Sequence, residues 1–153
     1  MDVDQSSIHA LASAFRRAFE SEDLSDAPGF LSGLPKGCCS WATWMIGHFL
    51  MFEMQVDAEE VNGERWAPNG TDPHAWLEVG STIVDITSDE FEDSDVPVIV
   101  SDESEWHRTW TVRARHKIKP IETHDAAFAH CSVKPSDIYY RLVARVRSEY
   151  GRA

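Results

Sequence analysis

Basic residues are scarce in this chain: 14 Lys and Arg stand against 26 Asp and Glu, a formal net charge of −12. So negative a surface repels a phosphate backbone, and nucleic acid is not an expected partner. Cysteines number only three, Cys38, Cys39 and Cys131, with two of them adjacent, so no disulfide framework is expected. Long apolar runs are missing as well. The best, Met45 to Met54, is broken by His48 and Glu53 and falls far short of the roughly 20 residues of a membrane helix. The start, Met-Asp-Val-Asp-Gln, lacks the basic opening of a secretory signal. These absences predict a cytoplasmic protein without a membrane partner, in a reducing compartment that would keep a thiol free. There are no internal repeats, no low-complexity linker, and no motif that calls for a cofactor or metal. Only two glutamines occur, Gln5 and Gln55, and neither is placed to donate to an oxyanion.

What is present is a core. Hydrophobic residues make up 42% of 153, enough for one folded domain over 1–153. Ile8, Leu11, Ala12, Phe15 and Phe19 recur at helical spacing, predicting an amphipathic helix from Ser6 to Phe19 with Arg16 and Arg17 outside. Ser21 to Lys36 reads as loop. From Cys39 to Met54 nearly every face is apolar, the mark of a buried central helix. Asn62-Gly63, Pro68, Asn69-Gly70 and Pro73 are turn signals, with a short strand from Val61 to Trp66. Ala75 to Val79 and Thr82 to Ile86 read as a hairpin turning at Gly80-Ser81. The acidic run Asp89 to Asp95 reads as solvated surface or a flap. Strands are expected at Val96 to Val100 and Trp110 to Arg115, and a last helix at Ser136 to Tyr150. The fold class predicted is α+β.

Chemistry concentrates in two places. Gly37 allows a sharp turn into a helix beginning near Cys39, where aligned backbone dipoles and free N–H groups favour a thiolate and a developing oxyanion. Cys39 is favoured over Cys38 as a nucleophile because it sits at the predicted cap. His74 follows Pro73 at the mouth of a strand. With Gly80-Ser81 as the turn, Val79 faces Thr82, and Asp85 falls on the same face as His74, within diagonal reach. A carboxylate between Val84 and Ile86 needs a partner, and a histidine supplies one. Cys, His and Asp in this order suit a triad of nucleophile, base and orienter.

Gly-x-Cys39 opening an apolar helix, His74-Ala-Trp76-x-Glu78 on one strand and Val84-Asp85-x-Thr87 on the next resemble the transglutaminase-like branch of the papain-like cysteine enzymes. The likeness covers about residues 37–91. In compact size and its His-Ala-Trp strand the chain is also similar to small bacterial proteases that remove leader peptides in lasso-peptide maturation. The resemblance implies a papain-like core, with a helix carrying Cys39 packed on an antiparallel sheet carrying His74 and Asp85. It implies Cys39 as nucleophile, His74 as base, Asp85 as orienter and Trp76 as a wall behind the histidine. This chain departs from the family in its doubled cysteine. It also has Ser81-Thr82-Ile83-Val84 where a tryptophan usually precedes the aspartate, and it lacks a calcium-site signature. The function expected is a cysteine-dependent amide hydrolase or acyl transferase acting on a peptide or protein through a thioester. The alternatives are a silent binding module on the same fold and a deamidating toxin or effector.

Trp76, Cys38, Trp106 and His107 are the candidate substrate-binding residues. A zinc set drawn from Cys38, Cys39, His48 and His74 lacks the usual ligand spacing. His116, His124 and His130 read as surface. Arg113, Arg115, Lys117 and Lys119 form a basic stripe, either a solvated face or a grip for an acidic peptide or carboxylate.

Overall fold

The computed structural model describes residues 3–31 and 33–150. Helix α1 runs Gln5–Ser21, started by Asp4, whose carboxylate accepts from the Ser7 backbone N–H at 2.7 Å. Its predicted apolar stripe is buried, from Ile8 to Phe19. The loop that follows holds a 3₁₀ turn at Gly29–Leu31, and the predicted loop residue Ser32 lies outside the described residues. Helix α2 spans Cys39–His48 and continues as a π-helical turn through Phe49–Glu53, closed by Met54 N–H on the Phe49 carbonyl at 3.0 Å. The expected buried helix is therefore present, with its last turn widened.

Strands β1 (Glu59–Ala67), β2 (Gly70–Val79), β3 (Thr82–Asp85) and β4 (Ile99–Ser101) form an antiparallel meander. After the one-turn helix α3 (Glu105–Arg108), strand β5 (Thr111–Lys117) returns to the far edge beside β1, giving the order β4-β3-β2-β1-β5. A 3₁₀ segment at Ile121–Phe128 leads into helix α4, Pro135–Tyr150. The fold class is α+β, as predicted. The hairpin register is also as predicted, with Val79 opposite Thr82 and Leu77 opposite Val84.

Two turn signals were overridden. Asn62-Gly63 and Pro73 lie inside β1 and β2, with Pro73 paired to Glu64. Gly63 is there because the strands press close: a Cβ at Gly63 would meet the Trp76 ring at 2.9 Å. Side chains alternate between two covered faces of β2, so His74 to Leu77 are all buried: Leu77 joins the main core with α1, α2 and α4, while Trp76 joins a smaller cluster with Val61 and Trp110. In α4, Ile138, Tyr139, Leu142, Val143 and Val146 face the main core as their spacing required. Among the described residues, no helix is long and apolar enough to cross a membrane.

Charge is arranged differently from the sequence expectation. Arg16 does not face solvent. It is buried, donating to the Ile86 carbonyl at 2.7 Å and to both carboxylate oxygens of Asp89 at 2.8 Å. Asp89 therefore starts a fixed segment instead of a flap, and Arg65 makes a second forked pair with Asp93 at 2.8 and 2.7 Å. The two arginines of the basic stripe are paired in place, Arg113 with Glu64 and Arg115 with Glu59 and Glu78. Periodicity marks a helix face but cannot see a carbonyl and a carboxylate brought from 70 residues away. His124 is half-buried, stacked on Trp44 at 4.0 Å, and is not a surface residue.

Removing a buried guanidinium leaves its carboxylate and carbonyl partners unpaired, a loss of about 3 kcal/mol, against under about 1 kcal/mol for an exposed ion pair. Urea denaturation should therefore find Arg16→Met strongly destabilised and Arg113→Ala nearly unchanged. Equal midpoints for the two variants would contradict this account of Arg16.

Candidate active site

The approach to α2 is set by Gly37, whose φ of +72° is open to glycine and strained for other residues. Cys38 then caps the helix and Cys39 begins it. The two neighbouring thiols differ sharply in environment. Cys38 is 0% exposed, and burial pushes its thiol up to about 11. It cannot touch a substrate, which corrects its expected place among the binding residues. Cys39 is only partly buried, at the first turn of α2, where backbone N–H groups have no acceptor within the helix.

His74 stands on β2 opposite Gly63, its side chain 0% exposed. Aromatic rings surround the imidazole: Phe91 at 5.1 Å, Trp110 at 5.3 Å, Trp106 at 5.5 Å and Trp76 at 5.8 Å between centroids. Its Nε2 donates to Asp85 Oδ2 at 2.7 Å. The predicted diagonal reach across the hairpin is thus realised. The opposite nitrogen, Nδ1, has no hydrogen-bond partner among the described residues. A ring nitrogen of His74, the Cys39 sulfur and a Glu90 oxygen lie within 4.8 Å of one another, so Nδ1 is the nitrogen left for the thiol.

Asp85 ends β3 as a buried carboxylate. Beyond His74 it accepts from the Thr87 backbone N–H at 2.8 Å and from the Thr87 hydroxyl at 3.3 Å, both on Oδ1. The fourth donor is one the sequence did not suggest: His107 Nε2, 2.7 Å from Oδ2. His107 is buried and does not line a groove; it holds the carboxylate. Its own orientation comes from Ser104, which caps α3 by accepting from His107 N–H and contacts His107 Nδ1 at 2.6 Å. One tautomer satisfies both ends, with Nε2–H donating to Asp85 and the Ser104 hydroxyl donating to Nδ1. The Ser104-x-x-His107 spacing is a helix-start signal that could have placed this ring.

Trp76 is buried behind His74 and donates through Nε1 to Glu78 at 3.1 Å, so it is a back wall and not a contact surface. Trp106 is half-buried against His74. Over Trp110, Trp106 and Phe91 lies the Arg65 guanidinium, 4.3, 5.2 and 5.3 Å from the ring centroids. A groove of about 620 Å³, lined in part by Trp66, Asp72, Glu90 and Phe91, leads to this cluster. Glu90 had no signal of its own, being one acid within an acidic run.

Electrostatics follow from the geometry. Burial opposes charge on His74, but the Asp85 carboxylate and its hydrogen bond, with the Cys39 thiol, outweigh it and raise the imidazole to about 9. Burial likewise opposes charge on Asp85, yet His74 and His107 hold it well below the usual carboxylate range. Glu90 is pushed up to about 7, first by burial, with His74 opposing and Asp85, Asp72 and Asp89 adding.

Of the zinc set weighed from sequence, His48 belongs elsewhere: its Nδ1 accepts from the Ile121 N–H at 2.9 Å. His74, Asp85 and His107 also bring ligand atoms together, but their 2.7 Å separations are those of hydrogen bonds. Ligands around a tetrahedral zinc stand about 3.3 Å apart or more.

The sign of the pH dependence is set by these shifts. An imidazole raised to about 9 from an unfolded value of about 6.5 stabilises the fold fully below about 6.5 and loses that contribution as pH rises through 9. A depressed Asp85 contributes above its unfolded value of about 3.9 and loses its contribution below it. NMR titration of the chelator-treated protein should find the His74 ring still protonated at pH 8. In Asp85→Asn burial prevails, and the ring should titrate below its ordinary value. An unaltered His74 titration in Asp85→Asn would show that the carboxylate does not control the ring. No family model, no curated protein and no solved structure matches this chain.

Proposed function

We propose that this protein is a cysteine-dependent amide hydrolase or acyl transferase, built on the papain-like plan of a helix bearing the nucleophile against an antiparallel sheet bearing its base. One observation carries the reading. His74 is fastened to Asp85 through Nε2, while its other nitrogen is left on the side of the partly exposed Cys39 thiol. A base held at one nitrogen and turned toward a sulfur at the other is what nucleophilic catalysis by cysteine requires.

With its value raised to about 9, His74 carries a proton at neutral pH. An imidazolium beside a sulfur favours the thiolate. The thiolate attacks the carbonyl carbon of a peptide amide, and the C–O π electrons move to oxygen. Backbone N–H groups at the start of α2, which have no acceptor within the helix, receive that oxyanion. On collapse the C–N bond breaks, His74 Nδ1–H protonates the leaving amine, and a thioester to Cys39 remains. Water, or an amine in the transfer reaction, gives a proton to the now neutral Nδ1 and attacks the thioester, returning the thiolate and imidazolium. Asp85 keeps the ring in place and its charge balanced throughout, and His107 and Thr87 keep Asp85 in place. The substrate is a peptide or protein segment entering past Glu90, and the working compartment is a reducing one such as the cytoplasm.

Iodoacetamide labelling at pH 7 of chelator-treated protein, read by mass spectrometry, tests the dyad. Cys39 should alkylate rapidly and Cys38 hardly at all. His74→Ala should slow Cys39 by about tenfold or more. Cleavage of a mixed peptide pool should disappear in Cys39→Ala and survive in Cys38→Ala. A Cys39 whose labelling is slow and indifferent to His74 would make the protein a silent binding module. A release of ammonia from glutamine-bearing proteins, without chain cleavage, would make it the deamidating effector.

A further inference from the structure

Two buried polar atoms of the site, His74 Nδ1 and Glu90 Oε2, have no hydrogen-bond partner among the described residues. Their side chains and Cys39 bring a nitrogen, an oxygen and a sulfur within 4.8 Å of one another. The His74 side chain is 0% exposed, so bulk solvent does not satisfy its nitrogen. The Cys39 thiol is the neighbour His74 has on this side, and buried polar atoms without a nitrogen or oxygen partner are uncommon, so two of them on side chains grouped with one thiol suit a ligand that accepts N, O and S donors together.

We propose that Cys39 Sγ, His74 Nδ1 and Glu90 form a three-ligand site for a thiophilic divalent cation, Zn²⁺ above all, and that loading this site reversibly blocks the thiol. The blocking role rests on the cysteine-enzyme reading; the binding site does not. The donor set is one that zinc takes, and thiolate plus carboxylate balance its two charges. The surroundings are those of a prepared ligand. Asp85 accepts Nε2–H of His74, which fixes the ring and makes Nδ1 the nitrogen that ligates once its proton is displaced. His107 and Thr87 secure Asp85 in turn. Cys39 and Glu90 are both only partly buried, so the fourth position of a tetrahedron opens toward solvent. Zinc bonds of about 2.0–2.3 Å require its ligands roughly 3.3–3.8 Å apart. Rotation of the Cys39 and Glu90 side chains supplies an inward movement of about 1 Å where their separation exceeds this. Binding expels to solvent the one proton that the Cys39 sulfur and His74 Nδ1 share, and it returns when the cation leaves.

The full chain, stripped with chelator, is titrated with Zn²⁺ by calorimetry and with Co²⁺ by absorption. One ion per chain is expected, with a sulfur-to-cobalt charge-transfer band in the near ultraviolet that Cys39→Ser abolishes. Glu90→Gln should weaken Zn²⁺ binding by at least about tenfold. Zn²⁺ should protect Cys39 from iodoacetamide, and chelator should restore labelling. If Glu90→Gln does not fold, loss of the cobalt band on alkylating Cys39 in the wild type decides the sulfur ligand, and Glu90→Asp, which keeps the charge and shortens the reach, decides the oxygen. Absence of binding, a cobalt spectrum without the sulfur band, or full affinity without the Glu90 carboxylate would overturn the site. If it is overturned while chelated Cys39 still labels in a His74-dependent way, the enzyme reading stands alone. Zinc bound at the three ligands, with chelated Cys39 inert, would keep the site and overturn its blocking role.

Discussion

The Asp85 carboxylate is buried, and everything around the site is arranged so that it can be. A charge removed from water must be met by donors, and Asp85 has four: two histidine rings on one oxygen, and the Thr87 backbone and hydroxyl on the other. Each donor comes from a different local cause. His74 arrives through the β2–β3 register, Thr87 through the turn that ends β3, and His107 through a one-turn helix capped by Ser104. Because the anion is fully served, it can hold a proton on His74 well above the ordinary range. The reactivity proposed for Cys39 is therefore a consequence of how one carboxylate is satisfied.

Around that network sits an aromatic shell that keeps the dielectric low and the hydrogen bonds strong. Phe91, Trp106, Trp110 and Trp76 surround His74, and Gly63 is bare so that Trp76 can lie against β1. Two forked arginine pairs brace the segment that closes the shell. Arg16 takes Asp89 on one side of Glu90 and Phe91, and Arg65 takes Asp93 on the other. Glu90 is thereby kept beside the thiol in spite of carboxylates nearby that push its acidity down. The acidic run is a structural strap whose charges are in part already spoken for.

Periodicity and register were legible wherever the interaction is local. The apolar stripe of α1, the buried α2, the faces of α4 and the pairing of Val79 with Thr82 all follow from spacing along one or two neighbouring elements. Asp85 could be read because an unpaired acid in an apolar strand demands a partner, and the hairpin arithmetic named it. Arg16 could not be read, because the carbonyl and carboxylate that hold it inside lie 70 or more residues away in sequence. Asn62-Gly63 and Pro73 looked like turns because their propensities are strong, and sheet pairing overrode them. In the sequence His107 stands out only as a neighbour of Trp106, and its spacing from Ser104 is the local signal that places it.

By itself the sequence determined the α+β class, the strand that carries His74, the strand that carries Asp85, and the helix start that carries Cys39. Each depends on residue type and short-range spacing, which a linear chain displays. Only the tertiary structure decided which of two adjacent thiols is shut away, that a second histidine serves the aspartate, and that Glu90 faces the sulfur. Those outcomes depend on burial and on meetings across the fold. Side chains of the same kind, close in sequence, acquire opposite roles once one of them is removed from water.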